Sequence, residues 1–382
     1  MKIVIAPQAF KGSISALGAA RAMEDGIRRV VPDVETVLVP IADGGDGTLE
    51  TMVEVSGGRV ETAKVTGPMG KKVEAEWGAM GDGRTAVIEM ARTSGLALLD
   101  RNKLDARKAT TYGLGEAILA ALEAGFRRFI IGIGGSATND AGAGMAQALG
   151  VRLLNASKAE VGRGGAALAK LDRIDAAGLD PRARESTFEV ACDVSNPLCG
   201  PEGASAVYGP QKGATPEHVR ELDRALRHFA HVVRRDIDIE INHMAGGGAA
   251  GGLGAGMVAF LGGRLRPGVD IVMEAVGLEA QMEGADLVLT GEGQIDFQTV
   301  FSKAPIGVSR LARNRGIPVV AICGSLGNDF RKVHEQGIDA AFSITTEPMS
   351  LDDALVKADR LIATTTEETM RALRAGSQLE SF

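Results

Sequence analysis

Ile3, Val4, Ile5 and Ala6 form an unbroken apolar run of the kind expected for a strand covered on both faces. Beyond it, Ala16, Ala20, Met23, Ile27 and Val30 recur at the four-three spacing of one helical face. Ser13 or Ser15 can cap that helix, and Pro32 stops it. Residues 34–40 read as a second strand. A strand, a helix and a strand in so short a stretch predict a parallel sheet with right-handed crossovers. The C-terminal third repeats the pattern, with apolar runs at 286–290, 318–322 and 340–345 and a helix after Pro305. A last helix is opened by Ser350 with Asp353 three residues on, and carries Leu351, Leu355, Ala358 and Ile362 along one face.

The middle of the chain has another rhythm. Residues 60–65, 72–77 and 86–90 are strand-like and are separated by Gly67-Pro68 and Gly81-Asp82-Gly83, the punctuation of antiparallel hairpins. Residues 129–133 and 188–191 are further apolar strands, and Thr215-Pro216 caps a long helix reaching about Arg234. The fold class expected is α/β with two domains. Residues 1–60 plus 265–382 form a discontinuous doubly wound parallel domain of Rossmann or flavodoxin type, and 61–264 an inserted domain with a mixed sheet. No low-complexity linker separates them, so the domains are expected to meet directly and enclose a cleft.

Composition narrows the function. A chain of 382 residues exceeds one ordinary core and suits two, at about 150 residues each. No apolar run approaches the roughly 18 residues of a membrane helix, and Pro7, Gln8 and Lys11 interrupt the N-terminal run too early for a signal segment. Cys192, Cys199 and Cys323 are odd in number and lack the close pairing of a metal knuckle or redox motif, which points to a reducing, cytoplasmic setting without disulfides. A net charge of −7 with 4% aromatic residues lacks the basic stacking surface that nucleic acid requires. Neither nucleic acid nor membrane is an expected partner. A homo-oligomer is compatible with the sequence, which does not reveal the oligomeric state. Glycine is the unusual component: its 51 residues, about twice ordinary usage, cluster at the ends of apolar runs, where they permit a ligand to be cradled by main-chain N–H groups.

Four polar, glycine-rich loops follow expected strands, the position at which α/β sheets bind ligands. The first, Ala42-Asp43-Gly44-Gly45-Asp46-Gly47-Thr48, ends where Thr48 can cap a helix and turn its amides toward an anion. Its two acids suit an intervening Mg²⁺ or a proton acceptor; a solvated Asp/Gly turn is the plainer alternative. The second runs from Gly132 through Gly134, Gly135, Ser136, Thr138, Asn139 and Asp140 to Gly144, between a strand and a helix. It offers donors to phosphate, but lacks the Gly-Lys-Ser/Thr ending of a P-loop. The third, Cys192-Asp193-Val194-Ser195-Asn196-Pro197, presents Asp193 and Asn196 to a metal or hydroxyl, with an Asx turn as the alternative. Nearby, Gly209-Pro210-Gln211-Lys212-Gly213 sets a lysine in a tight turn. The fourth, Thr290-Gly291-Glu292-Gly293-Gln294-Ile295-Asp296-Phe297-Gln298, is followed by Lys303; acids and a lysine beside a core strand need partners, and a structural Glu292–Lys303 pair is one way to supply them. Residues 246–256 carry so few polar side chains that close packing or a hinge is the better reading. His228 and His231 make a weak metal pair, and no Ser-His-Asp arrangement is suggested.

Taken in order, these motifs resemble the bacterial type 1 glycerate kinase family, and the resemblance extends over essentially the whole chain. It carries on Asp43–Thr48, Gly134–Asp140, Ala191-Cys192-Asp193 with Asn196-Pro197-Leu198, Gly209–Thr215 and Thr290–Gly293. The resemblance implies ATP and Mg²⁺ as cofactors, D-glycerate as the small-molecule substrate and a role in glycerate or glucarate/galactarate breakdown. It also marks departures. Gln8 and Ala9 stand where the family opens with Asp and Ser before Phe10 and Lys11; Gln294 replaces an Arg, Phe297 a small residue and Ser302 a Gly. Losing a guanidinium removes a bidentate clamp for carboxylate or phosphate.

Phosphoryl transfer needs alignment, charge neutralisation and a destination for the hydroxyl proton. The catalytic candidates are Asp43, Asp193, Lys11 and Lys303. Mg²⁺ with Lys11, Lys303 or Lys212 would neutralise the phosphates, and Asp43 or Asp193 would accept the proton while the other held metal. Gly134, Gly135, Ser136, Thr138, Asn139 and Glu292 are the nucleotide-binding candidates, and Asp193 and Asp296 the metal candidates. The family product favours 2-phosphoglycerate. A kinase for another small hydroxy acid, or a non-catalytic sensor of glycerate or nucleotide, are the rival readings.

Overall fold

The computed structural model describes residues 1–45, 47–297, 299–300 and 303–378. Asp46, Gln298 and Ser302 of the loops above lie outside the described residues. The chain divides into two compact units, one made of Met1–Asp43 with the segment from Val269 onward, the other of Gly44–Gly268.

In the first unit five parallel strands lie in the order Ala340–Ser343, Val319–Cys323, Leu287–Gly291, Lys2–Pro7, Glu35–Leu38. The chain leaves Lys2–Pro7 toward one edge and returns through Leu287–Gly291 toward the other. The order therefore reverses between these two neighbours, the topological switch point at which open α/β sheets leave a crevice. Ile3, Ile5, Leu289 and Ile322 point to one face and pack on the helices Ala16–Val30 and Ala358–Gly376. The helix Ala304–Arg313 covers the other face.

The first helix forms as its periodicity requires. Of the two candidate caps, Ser15 takes the role, its hydroxyl accepting from the Gly18 N–H at 3.1 Å. Met23 and Ile27 are fully buried, each contributing about 1.5–3 kcal/mol. The C-terminal helix departs from expectation: it breaks at Lys357 into Leu351–Val356 and Ala358–Gly376. Only the second part packs on Ala16–Val30, through Leu361 and Ile362, while Leu351 is left 73% exposed. Spacing alone cannot register such a break, because both halves keep the same period.

In the second unit a six-stranded mixed sheet has the order Arg264–Arg266, Thr187–Ala191, Arg128–Gly132, Thr85–Glu89, Lys72–Ala79, Arg59–Thr66. The first four run parallel and the last two add as antiparallel hairpins. Phe129 and Phe188 stack across neighbouring strands at 4.7 Å, and Trp77 meets Phe126 edge-on at 5.4 Å. The long helix spans Pro216–Ile237, opened by a reciprocal cap between Thr215 and His218. The glycine stretch 246–256 is close-packed. Ala250, Gly251 and Gly252 are left-handed in succession, and a Cβ on Gly251 would stand 2.0 Å from the Thr138 carbonyl oxygen. The unit also starts and ends in one place, since a Cβ on Gly44 would lie 3.1 Å from the Gly268 Cα.

Helix contact in the first unit depends on Gly26, whose Cβ, if present, would lie 2.3 Å from the Ala363 carbonyl oxygen. Gly26→Ala gains about 1 kcal/mol of helix propensity but forces the two helices apart, an overpacking worth about 1–3 kcal/mol. A lower midpoint of urea unfolding is expected; a higher one would show that these helices are not in such close contact.

Candidate functional site

The first unit gathers its chemistry at the carboxyl ends of its strands. The loop after Lys2–Pro7 is held to the neighbouring strand by the Gln8 N–H donating to the Gly291 carbonyl at 2.7 Å. Beyond Glu35–Leu38 the chain stays alongside, Ile41 N–H donating to the Pro7 carbonyl at 2.9 Å, and so carries Asp43 to the same end. The loops after Leu287–Gly291 and Val319–Cys323 then run together as a short parallel ladder, Gln294–Ile295 with Ser325–Leu326. Only glycine fits where they cross: a Cβ on Gly324 would lie 2.2 Å from the Gly293 carbonyl oxygen.

These loops enclose a cavity of about 650 Å³ lined by Gln8, Lys11, Asp43, Glu292, Gln294 and Lys303 among others. Glu292 is 7% exposed. One of its oxygens accepts from Thr299 Oγ1 at 2.8 Å and the other lies 3.6 Å from Lys303 Nζ. Burial pushes the Glu292 carboxyl above the usual carboxylate range, Lys303 and Thr299 oppose the shift, and the charge of Asp43 adds to it. The Glu292–Lys303 pair expected as a structural contact is therefore present, and it forms part of the cavity wall. Asp296, a metal candidate from the sequence, is not among the residues lining the cavity; it follows the strand Gln294–Ile295, and Gln294 Nε2 donates to its Oδ2 at 3.2 Å. The side-chain oxygen of Gln8 is buried without a partner.

The second unit gathers the other loops at its own strand ends. Gly44 and Gly45 pass over the ends of Arg128–Gly132 and Thr187–Ala191: Cβ atoms would stand 2.9 Å from the Gly44 oxygen at Gly132, and 2.6 Å from the Ala191 Cβ at Gly44. The helix that follows, Thr48–Ser56, is not capped by Thr48. Gly47, at φ 87°, occupies the cap position, and the Thr48 hydroxyl is buried without a partner. The first-turn N–H of Leu49 instead donates to Glu89 Oε1 at 3.0 Å, while Glu89 Oε2 accepts from Arg92 Nε at 2.9 Å. The helix end expected to meet an anion thus already holds one of the chain's own carboxylates. Glu89 was missed; an acid closing an apolar strand run was its only signal.

The second glycine loop is arranged likewise. Gly134 and Gly135 are exposed, but Ser136 to Asp140 are buried. Asp140 accepts from Thr111 N and Oγ1 at 2.9 and 3.1 Å and from the N–H groups of Gly142 and Gly144 at 3.3 Å, filling the start of the short helix Ala143–Ala148. Burial raises its carboxyl pKa. Thr138 Oγ1 and Asn139 Oδ1 are buried without partners, while Asn139 Nδ2 donates to Ser205 Oγ at 2.9 Å. Lys212 is not a surface cation either. It is 1% exposed and its Nζ donates to Ser136 Oγ and to the Thr138 carbonyl, both at 2.7 Å. It braces the loop from beneath.

Asp193 is exposed and its Oδ1 accepts from the Gly268 N–H at 3.0 Å. Asn196 Oδ1 accepts from the Tyr208 hydroxyl at 2.6 Å and its Nδ2 donates to the Glu202 carbonyl, bonds that tie the loop to the segment after it and are not those of an Asx turn. Among the described residues, no group of three or more His, Cys, Asp or Glu side chains has the geometry to hold a metal. His228 Nε2 meets the Leu171 carbonyl. Burial pushes the Cys199 and Cys323 thiols up to about 12, which leaves them unreactive near neutrality.

The model of the glycerate kinase family matches residues 3–374. A glycerate kinase of Halalkalibacterium halodurans is 51% identical over 94% of this chain and 95% of its own. A glycerate 2-kinase of Escherichia coli K12 is 49% identical over 97% and 99%. A crystal structure assigned to glycerate kinase 2 of Salmonella typhimurium LT2 superimposes with a TM-score of 0.93 at 50% identity, covering 99% of this chain and all of that one. No helix among the described residues is long and apolar enough to cross a membrane.

Lys212 supplies a test of the loop's construction. Burial lowers its pKa from 10.5 to about 7, against the opposing charge of Asp140. Between those values the unfolded chain keeps a proton that the folded form has shed, so stability gains from rising pH. Measured by urea unfolding, wild type should gain on Lys212→Met between pH 7 and pH 10. A constant difference would mean that the lysine titrates alike in both states.

Proposed function

Because the chain belongs to the glycerate kinase family and is a kinase, we propose that it transfers the γ-phosphoryl group of ATP to the 2-hydroxyl of D-glycerate, giving 2-phosphoglycerate. The observation that carries this reading is the meeting of Lys11, Asp43, Glu292 and Lys303 on one cavity. The residues come from three separate strand ends, and two opposed pairs of charges in one recess suit a phosphorylated substrate better than a neutral one.

Transfer passes through a loose transition state with little covalent work for the protein. Lys11 and Lys303 neutralise charge on the moving phosphoryl group. Asp43 accepts the proton of the attacking hydroxyl; it is favoured because it lines the same cavity as the two lysines. Glu292, kept from easy ionisation by burial, holds Lys303 in place. Mg²⁺ asks for only one or two carboxylates beside phosphate oxygens and water. The oxygen donors here fit it, with Asp193 and Asp296 as candidates from the sequence and Asp43 and Glu292 as those lining the cavity; when bound it supplies charge to the triphosphate. The exposed residues Gly134 and Gly135, with Ser136, Thr138 and Asn139 shaping the loop behind them, offer a second seat for an anion.

The departures at Gln8, Ala9 and Gln294 all line the cavity and bear on which ligand it admits. A coupled assay of ADP release over a panel of hydroxy acids tests the reading, with D-glycerate expected to be the preferred acceptor and the product's phosphorus and proton NMR expected to show the 2-phosphate. Asp43→Asn should lower kcat by about 10²–10⁴-fold with an unchanged far-UV spectrum. Unaltered turnover would remove Asp43 from the mechanism, and binding without ADP release in wild type would favour a sensor.

A further inference from the structure

The cavity of the first unit is larger and less polar than a three-carbon acid needs. Its volume of about 650 Å³ falls within the roughly 300–1,000 Å³ that accommodates a drug-sized ligand. Beside the charged groups the lining is aliphatic: Ile344 after the strand Ala340–Ser343, Met349, and Leu351, Ala354 and Leu355 of the short helix that the break at Lys357 sets apart. Ser13 Oγ anchors this helix by donating to the Leu355 carbonyl at 2.6 Å. Leu351 lines the cavity and is 73% exposed, an apolar surface that a ligand would cover. A recess lined by both cations and an aliphatic shelf matches an amphipathic anion, polar at one end and flat and apolar at the other.

Resting on the kinase reading above, we propose that this recess is the nucleotide site, with the purine of ATP lying on Ile344, Met349, Leu351 and Leu355 and the triphosphate leading toward Lys11 and Lys303. In the second unit the first amides of Thr48–Ser56 and Ala143–Ala148 are taken by Glu89 and Asp140, so neither helix start is open to a triphosphate. The nucleoside shelf was concealed in the sequence because Leu351 and Leu355 share the helical period of residues that do enter the core.

Leu351→Asp and Ala354→Trp test the shelf, one by placing charge on it and the other by filling it; both positions are at least partly exposed, and circular dichroism and the melting temperature check the fold. Each variant should raise KM for ATP and weaken calorimetric binding of Mg·ADP about 10–100-fold, with KM for D-glycerate unchanged. Inorganic triphosphate, which lacks the base, should bind wild type and Leu351→Asp within about twofold of each other once salt screens the added charge. A raised KM for glycerate with unchanged KM for ATP would overturn the proposal in favour of an acceptor site, and so would unchanged values for both. The two readings fail separately: wild type that binds Mg·ADP at the shelf but releases no ADP with glycerate sinks the reaction and keeps the site, whereas glycerate-dependent turnover indifferent to both variants does the reverse.

Discussion

Main chain lies directly on main chain where the loops after Leu287–Gly291 and Val319–Cys323 leave the sheet. A Cβ on Gly291 would stand 1.8 Å from the Ile322 carbonyl oxygen, a distance no side chain tolerates. From that contact the rest of the cavity follows. The two loops continue as a ladder, Glu292 is turned into a recess where it is 7% exposed, and a carboxylate so placed requires compensation. Thr299 and Lys303 return to supply it. The charged side of the recess is thus a consequence of strand-end packing rather than an addition to it.

The two units treat the electrostatics of their strand ends in opposite ways. In the second, Glu89 and Asp140 satisfy the first amides of the helices that follow, and buried Lys212 is spent on two oxygens of the glycine loop. These groups stabilise the loop's shape and leave little charge for a ligand. In the first, Lys11 and Lys303 stand at an open recess with carboxylates beside them.

Much of this was legible beforehand, for identifiable reasons. Apolar runs such as Ile3–Ala6 and Phe129–Ile133 report parallel strands because both faces are covered, and Gly67-Pro68 and Gly81-Asp82-Gly83 report hairpins because turns demand those residues. Ser15 and Thr215 announced helix starts through local hydrogen bonds. What stayed hidden depends on partners distant in the chain. Nothing local to Lys212 says that it is enclosed, since its two acceptors lie more than seventy residues earlier. Thr48 has the chemistry of a cap and loses the role to Gly47 because Glu89 arrives from another strand. Leu351 has the spacing of a core residue and stands outside it.

Gly44 and Gly268, the two ends of the second unit, touch. A segment whose start and finish coincide can enter a surface loop of another protein while stretching it by little more than one residue's width, the condition under which domain insertion is tolerated. The sheet order of the first unit is accordingly undisturbed by the interruption, because the chain has already left that sheet at Asp43 and has yet to re-enter it at Val269.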